Sequence, residues 1–219
     1  MWSELCWAAF FSFGFYFLMQ ITAAIQEEFK WSTEDSRKMM HLAGGLLSLI
    51  PVFLISRLWI YLLLLLAVSI LLYVTWQKKL FPSIHQVSRP SIGSIIIPLP
   101  YILCFIIMHF KGSGLFYFLP LLIMVLSDPL AFYVGRKFGS PPLWPHSTKS
   151  VAGSLAFFVS SFAISCLLLN IYHVPLDQLI VGATGIGIAT TAAEAVSRGG
   201  WDNLWIPVSS VMVLFAMGF

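Results

Sequence analysis

The chain has 219 residues, of which 59% are hydrophobic and only 10% charged, and its mean hydropathy is +0.90. Soluble domains carry about 25% charged residues, so the composition excludes an ordinary soluble fold and reads as an integral membrane protein. A net charge of +3 gives no argument for a nucleic-acid partner. The cysteines, Cys6, Cys104 and Cys166, lie apart in apolar runs away from histidines, which speaks against a disulfide framework or a zinc site.

A spanning helix needs about 20 mostly apolar residues. In chain order, eight runs approach that length: roughly 5–25, 39–55, 58–76, 92–110, 115–135, 151–169, 178–197 and 205–219. The second and the last are short, so the pattern predicts an all-α bundle of seven or eight transmembrane helices. The first run carries Glu4, lacks a basic leader and is long for a signal core, so it is expected to be a membrane helix and not a signal peptide. The gaps leave no room for a soluble domain, and residues 1–219 read as a single transmembrane domain.

The basic residues give the threading. Lys30, Arg37, Lys38, Lys78, Lys79, Arg89, Arg136, Lys137, Lys149 and Arg198 follow odd-numbered spans, whereas only Arg57 and Lys111 follow even-numbered ones. The positive-inside rule then places the odd-numbered loops in the cytoplasm.

The polar residues form stripes at that same end. Before and into span 2, Glu34, Arg37, Lys38, His41, Gly44, Gly45 and Ser48 recur at helical spacing on one face, with Ser32 or Thr33 as the cap. Span 5 presents Ser127, Asp128, Ala131 and Gly135; span 6 begins with Lys149, Gly153 and Ala156. Span 7 carries Gly187, Thr190, Thr191, Glu194, Ser197 and Arg198. Small residues are explained by helix packing. Ionisable ones at membrane depth cost at least ~2.5–3.5 kcal/mol each and so point to a partner or a cavity. A pair of Asp128 with Arg136 or Lys149 is the structural alternative.

Carboxylates at Asp128, Glu194 and Asp202 beside Arg37, Lys38, Arg89, Arg136, Lys137 and Lys149 suit a Mg²⁺-bound polyphosphate, because Mg²⁺ takes one or two carboxylates and fills its shell with phosphate oxygens and water. The stretch KSVAGS (149–154) is expected to offer exposed backbone N–H groups at a helix start, with Lys149, Ser150 and Gly153 around a phosphate. It is not a P-loop, since no glycine-rich run precedes the lysine. Asp128 precedes Pro129, which disfavours helical geometry at Asp128, so a kink that opens backbone carbonyls is expected there. These residues lead to a phosphate-dependent lipid enzyme whose site lies on the cytoplasmic side.

Four motifs resemble the CTP-dependent lipid-alcohol kinases, the family of dolichol kinase, phytol kinase and CTP-dependent diacylglycerol kinase. They are E-x-x-R-K-x-x-H-x-x-G at Glu34, Arg37, Lys38, His41 and Gly44; Arg89 and Pro90 with nearby Gly93; D-x-x-A-x-x-x-G-R-x-F-G from Asp128 to Gly139 followed by K-S-x-x-G-S from Lys149 to Ser154; and E-x-x-S-x-x-x-x-D-N-x-x-x-P from Glu194 to Pro207. The resemblance runs from about residue 34 to the end. It implies a multi-span kinase that uses CTP and Mg²⁺ to phosphorylate a membrane lipid alcohol. Asp128, Glu194, His41 and Arg37 would be catalytic. Lys38, Arg89, Arg136, Lys137, Lys149, Ser150 and Gly153 would bind the nucleotide phosphates, and Asp128, Glu194 and Asp202 are the metal-ligand candidates. Which carboxylate holds metal and which acts as base stays open, as does the choice among diacylglycerol, a polyprenol and phytol. A homodimer is neither required nor excluded. Ala152 stands where family members often have Glu.

The third motif is also similar to phosphatidate cytidylyltransferases, which make CDP-lipids. Those end in a K-D-x-x-x-x-x-P-G-H-G-G-type segment, where this chain reads SRGGWDNLWIP. The missing histidine and second acidic cluster favour the kinase branch. A lipid transporter or binding protein would need polar residues at both ends of its pathway, and here they crowd one end. His85, His109, His146 and His173 are expected to be interfacial, and Trp59, Trp76, Tyr117 and Trp205 to be interfacial anchors.

Overall fold

The computed structural model describes residues 1–85, 92–145 and 147–219. Helix α1 (Trp2–Phe29) ends at Lys30, whose left-handed backbone reverses the chain. Ser32 then caps α2 (Thr33–Leu47): its hydroxyl accepts from the Asp35 N–H at 3.2 Å, and Glu34 and Asp35 fill the first turn, where the helix dipole favours acids.

The second apolar run is not one spanning helix. α2 stops after 15 residues, and a 3₁₀ turn at Pro51–Phe53 carries the chain onward. A helix end inside a membrane protein must find internal partners for its last carbonyls. Tyrosine hydroxyls supply them: Tyr101 donates to Gly45 O (3.1 Å), while Tyr117 (2.9 Å) and Tyr61 (3.4 Å) donate to Ser48 O. Tyr117, expected at an interface, is therefore wholly buried. Trp59, Trp76 and Trp205 do lie on the surface.

Beyond the turn follow α3 (Leu58–Gln77), the short α4 (Pro82–His85) and α5 (Gly93–Ile96), then α6 (Pro98–Lys111). Next, α7 (Leu115–Leu122) passes through a π-helical turn at Ile123–Ser127 into α8 (Asp128–Phe138). The bundle closes with α9 (Val151–Ile171), α10 (Leu176–Val196) and α11 (Asp202–Ala216). Among the described residues, six stretches are long and apolar enough to cross a membrane: α1, α3, α5–α6, α7–α8, α9 and α10. The other two passes, α2 with its turn and α11, are the two runs that looked short in sequence.

Ion pairs and stacking fix which ends lie together. Glu4 meets Arg57 at 2.6 Å, Lys111 donates to Phe219 O at 2.5 Å, and Phe53 stacks on Phe118, so these residues share one end. The polar stripes gather at the other end. α7–α8 is the central pass: 72% of its apolar stretch is buried, against 28–39% for the other five. It therefore presents Asp128 to protein and not to lipid. α8 and α9 approach closely because Gly135 and Gly153 lack side chains; a Cβ on Gly153 would sit 2.9 Å from Ala131 O, and one on Gly135 2.6 Å from Ser150 Oγ.

Candidate active site

The site is assembled around Asp128. The helix is interrupted just before it, and Pro129 explains how. In the i→i+5 register of the π turn, the donor to Met124 O would be the N–H of residue 129, which proline lacks. His41 Nε2 takes that carbonyl instead, at 3.0 Å. The expected opened carbonyl is present, but not the expected loss of helical geometry: Asp128 keeps φ −67° and ψ −46°. The distortion is spread over one wide turn.

The Asp128 carboxylate pairs with Lys38, Nζ to Oδ2 at 2.5 Å, with His41 Nε2 3.9 Å from the same oxygen. The sequence had offered Arg136 or Lys149 as its partner. Arg136 instead pairs with Asp35 (3.0 Å) on the rim, where it is 61% exposed. Lys149 bridges Glu194 Oε1 (2.5 Å) and Asp202 Oδ2 (3.1 Å), tying the ends of α10 and α11 to the start of α9. Burial alone would lower the pKa of Lys149, but Asp202, then Glu194 and Asp128, outweigh it and hold the ammonium above the usual lysine value. Lys149 is thus a fixed cation at neutral pH. At Asp35, the Ser32 hydroxyl bond is the largest influence and lowers the pKa; burial opposes it, and Arg136 adds to the lowering.

These groups surround a cavity of about 250 Å³, lined by Arg37, Lys38, Asp128, Arg136, Lys149, Ser150, Gly153, Ser154, Glu194 and Asp202 among others. A neighbouring cavity of about 200 Å³ shares Arg37, Thr148, Lys149 and Asp202 with it and adds Ser197 and Arg198. Most of the residues picked from the sequence therefore converge. Lys137 does not; it lies exposed over the ring of Phe138. Arg89 and Pro90, with His146, lie outside the described residues. Lys38, expected on phosphate, is engaged by Asp128.

The expected phosphate seat of free N–H groups at KSVAGS is corrected. Val151 N donates to Pro141 O, Ala152 N to Ser140 Oγ, Gly153 N to Ser150 Oγ and Ser154 N to Ser150 O. The loop after α8 folds back over the start of α9 and satisfies these donors, so side-chain cations, not backbone amides, face the cavity. His85, expected to be interfacial, is corrected. It is buried and joins Thr75 on α3 (3.0 Å) to Ser94 on α5 (3.1 Å), a polar bridge whose signal was a histidine flanked by hydroxyl-bearing helices. The pairing of Asp35 with Arg136 and the place of Thr148 in the cavity wall carried no signal in the sequence.

The profile described as the Cytidylyltransferase family matches residues 3–217. The chain belongs to this family. Its similar curated relatives include the phytol kinase of Synechocystis sp., 26% identical over 185 residues, 84% of this chain and 79% of that protein. A "Probable phytol kinase, chloroplastic" of Triticum aestivum is 31% identical over 130 residues, 55% of this chain and 43% of that protein. A "Probable phytol kinase 2, chloroplastic" of Glycine max is 25% identical over 216 residues, 93% of this chain and 72% of that protein. No solved structure matches. Within the cytidylyltransferase family, the relatives similar to this chain thus carry kinase names, as the WDN segment had suggested.

Proposed function

We propose that this protein is a CTP-dependent kinase that transfers the γ-phosphoryl group of CTP to the hydroxyl of a membrane lipid alcohol, with residues 1–219 acting as one transmembrane catalytic unit. The observation that carries the reading is the position of Asp128. Asp128 lines the cation-lined cavity and also a narrower, largely apolar pocket that runs along the same face of α2. A charged donor and a greasy acceptor would meet at that one residue. The kinase names of the relatives support phosphoryl over cytidylyl transfer.

In this reading CTP enters from the cytoplasmic end. Arg37, Arg136 and Lys149 face its phosphates and stabilise charge on the transferring group. Asp128, held in place by Lys38 and His41, orients the alcohol and receives its proton. The alcohol oxygen bonds to the γ-phosphorus as the bond from that phosphorus to the β-bridging oxygen breaks, and CDP leaves. The residues fit a magnesium ion arriving with the nucleotide. No three metal-ligating side chains converge among the described residues, but such an ion needs only one or two carboxylates. Glu194 Oε2 is buried behind a long, 3.5 Å bond from Ser154, and Asp202 shares the Lys149 ammonium with Glu194, so these two would hold the ion. Bound there, it would neutralise phosphate charge.

The test is to supply purified protein in lipid with membrane alcohols and CTP labelled at either the γ or the α phosphate. Label from the γ position should enter the lipid. Entry of the α label with a phosphatidate acceptor would establish CDP-lipid synthesis instead.

A further inference from the structure

The narrow pocket behind Asp128, of about 40 Å³, runs along α2 past Gly44 and Ser48. It shares Phe15, Ser48, Ile97 and Tyr101 with a second pocket of about 30 Å³ that reaches Leu64 and Val68 of α3. The two form one slot. Its walls are polar at the Asp128 end, where His41, Ser94 and Asn203 face it, and hydrocarbon at the other. Along α3 it extends from the level of Leu72 to that of Tyr61, about 16 Å of helical rise, or half of a ~30 Å hydrocarbon core.

Two features keep it open. α2 ends at Leu47, so no further helical turn fills the space below. Gly44 has no side chain; a Cβ there would lie 3.2 Å from the Phe15 ring and 3.3 Å from the Met40 methyl carbon.

We infer that this slot holds the alcohol-proximal part of one hydrocarbon chain, so that the protein selects single-chain lipid alcohols over two-chain diacylglycerols. The inference rests on the kinase reading for what happens at the hydroxyl, but the binding site is argued from shape. The slot adjoins the reacting cavity at Arg37, Lys38 and Asp128, which line both, and this sets which end of the occupant is polar. At about 40 and 30 Å³ its two parts are small beside the 250 Å³ cavity, room for one chain and not for two. A glycerol backbone carrying two acyl chains at its head would need both to enter where Gly44 and Phe15 leave room for one.

The experiment uses the full chain in lipid nanodiscs with a diazirine-bearing farnesol. Photolabel is expected on α1 around Phe15 and on α3 between Leu64 and Leu72, and phytol should displace it at least about tenfold more effectively than dioleoylglycerol. Label on other helices, or equal displacement by the two lipids, overturns the assignment. Gly44→Leu should lower both labelling and kcat/KM for phytol at least about tenfold while CTP binding changes less than about twofold. If that variant does not fold, Val68→Trp makes the same test from α3, and unchanged labelling in a folded variant overturns the slot. The two readings fail separately. A chain that labels in the slot yet phosphorylates no alcohol overturns the kinase and keeps the slot; one that phosphorylates phytol while labelling elsewhere does the reverse.

Discussion

Lys38 on α2 and Asp128 on α8, ninety residues apart in the chain, meet at 2.5 Å with side chains only 8% and 6% exposed. Neither charge has water to fall back on, so each depends on the other. Removing one partner of a buried pair costs about 3–5 kcal/mol, chiefly through the uncompensated charge left behind. Lys38→Met should therefore lower thermal stability markedly, and Lys38→Met with Asp128→Leu should recover much of it. Melting of the purified variants in lipid checks this; equal losses for single and double variants would show that the pair does not bear on stability. Asp128→Asn keeps the size and one oxygen, and is expected to cut phosphoryl transfer by orders of magnitude in a protein that still binds CTP.

Lys149 separates a structural from a binding role less cleanly than its sequence position suggested. Lys149→Ala leaves Glu194 and Asp202 facing each other without their shared cation, so it should destabilise the protein as well as weaken CTP binding, with a cost of about 3–5 kcal/mol by the same reasoning. Lys149→Arg should retain most of the stability. Because its pKa is raised in the folded protein, the stability it contributes is fully present below the ordinary lysine value of 10.5 and is lost only as pH rises beyond it. A Lys149-dependent loss of stability between pH 7 and 9 would contradict that assignment.

Arg136 offers the complementary case. It is mostly exposed and its pair with Asp35 lies on the rim, so Arg136→Ala should change stability by less than about 1 kcal/mol while raising KM for CTP several-fold. Ser32→Ala removes the α2 cap and should cost about 0.5–2 kcal/mol. The lowered pKa of Asp35 adds a pH signature: its contribution is complete above the usual carboxylate value of 3.8 and is lost as pH falls below it, and Ser32→Ala should shrink that acid-side loss. Melting curves of wild type and variant at pH 6 and pH 3 measure it.

The candidate site was readable where charge is scarce. In a chain with 10% charged residues, Asp128, Glu194 and the Arg37–Lys38–His41 stripe stand out, because each must be accommodated. Their pairings were not readable. Which cation reaches Asp128 depends on how α2 is laid against α8, and the sequence nearest neighbours, Arg136 and Lys149, lost to a residue ninety positions away. The spans were readable from hydropathy, but the early stop of α2 was not, since it depends on three tyrosines from α3, α6 and α7 converging on two carbonyls. The capped start of α9 was hidden for the same reason: a fold-back loop supplies Pro141 O and Ser140 Oγ.

Topology is open to direct measurement. The ten basic residues that follow odd-numbered spans predict that the end bearing the site faces the cytoplasm. In a Cys6→Ser background, Lys78→Cys and Lys137→Cys should resist a membrane-impermeant thiol reagent added to intact cells and react after permeabilisation. Asp177→Cys, at the start of α10 and exposed, should react from outside. The opposite pattern would place CTP binding on the wrong side for a cytoplasmic nucleotide pool.

Pro129 tests whether the wide turn serves the site. Proline removes one backbone donor, and the i→i+5 register leaves Met124 O for His41. His41 is thereby fixed 3.9 Å from the Asp128 carboxylate, though it is on another helix. Restoring the N–H with Pro129→Ala lets α7 and α8 join through an ordinary α-helical ladder. That continuous helix gains a hydrogen bond worth about 1 kcal/mol and releases His41 from its carbonyl. Narrowing the turn also rotates Asp128 relative to Lys38. The expected result is a protein whose phosphoryl transfer falls about tenfold or more, because the hydrogen bond gained in the ladder comes at the expense of the Lys38–Asp128 geometry. His41→Ala should lose activity and stability together, since it leaves Met124 O buried without a donor, at about 1–3 kcal/mol, and His41→Gln should restore part of both. Full activity in Pro129→Ala would show that the turn only accommodates the proline and does not position Asp128.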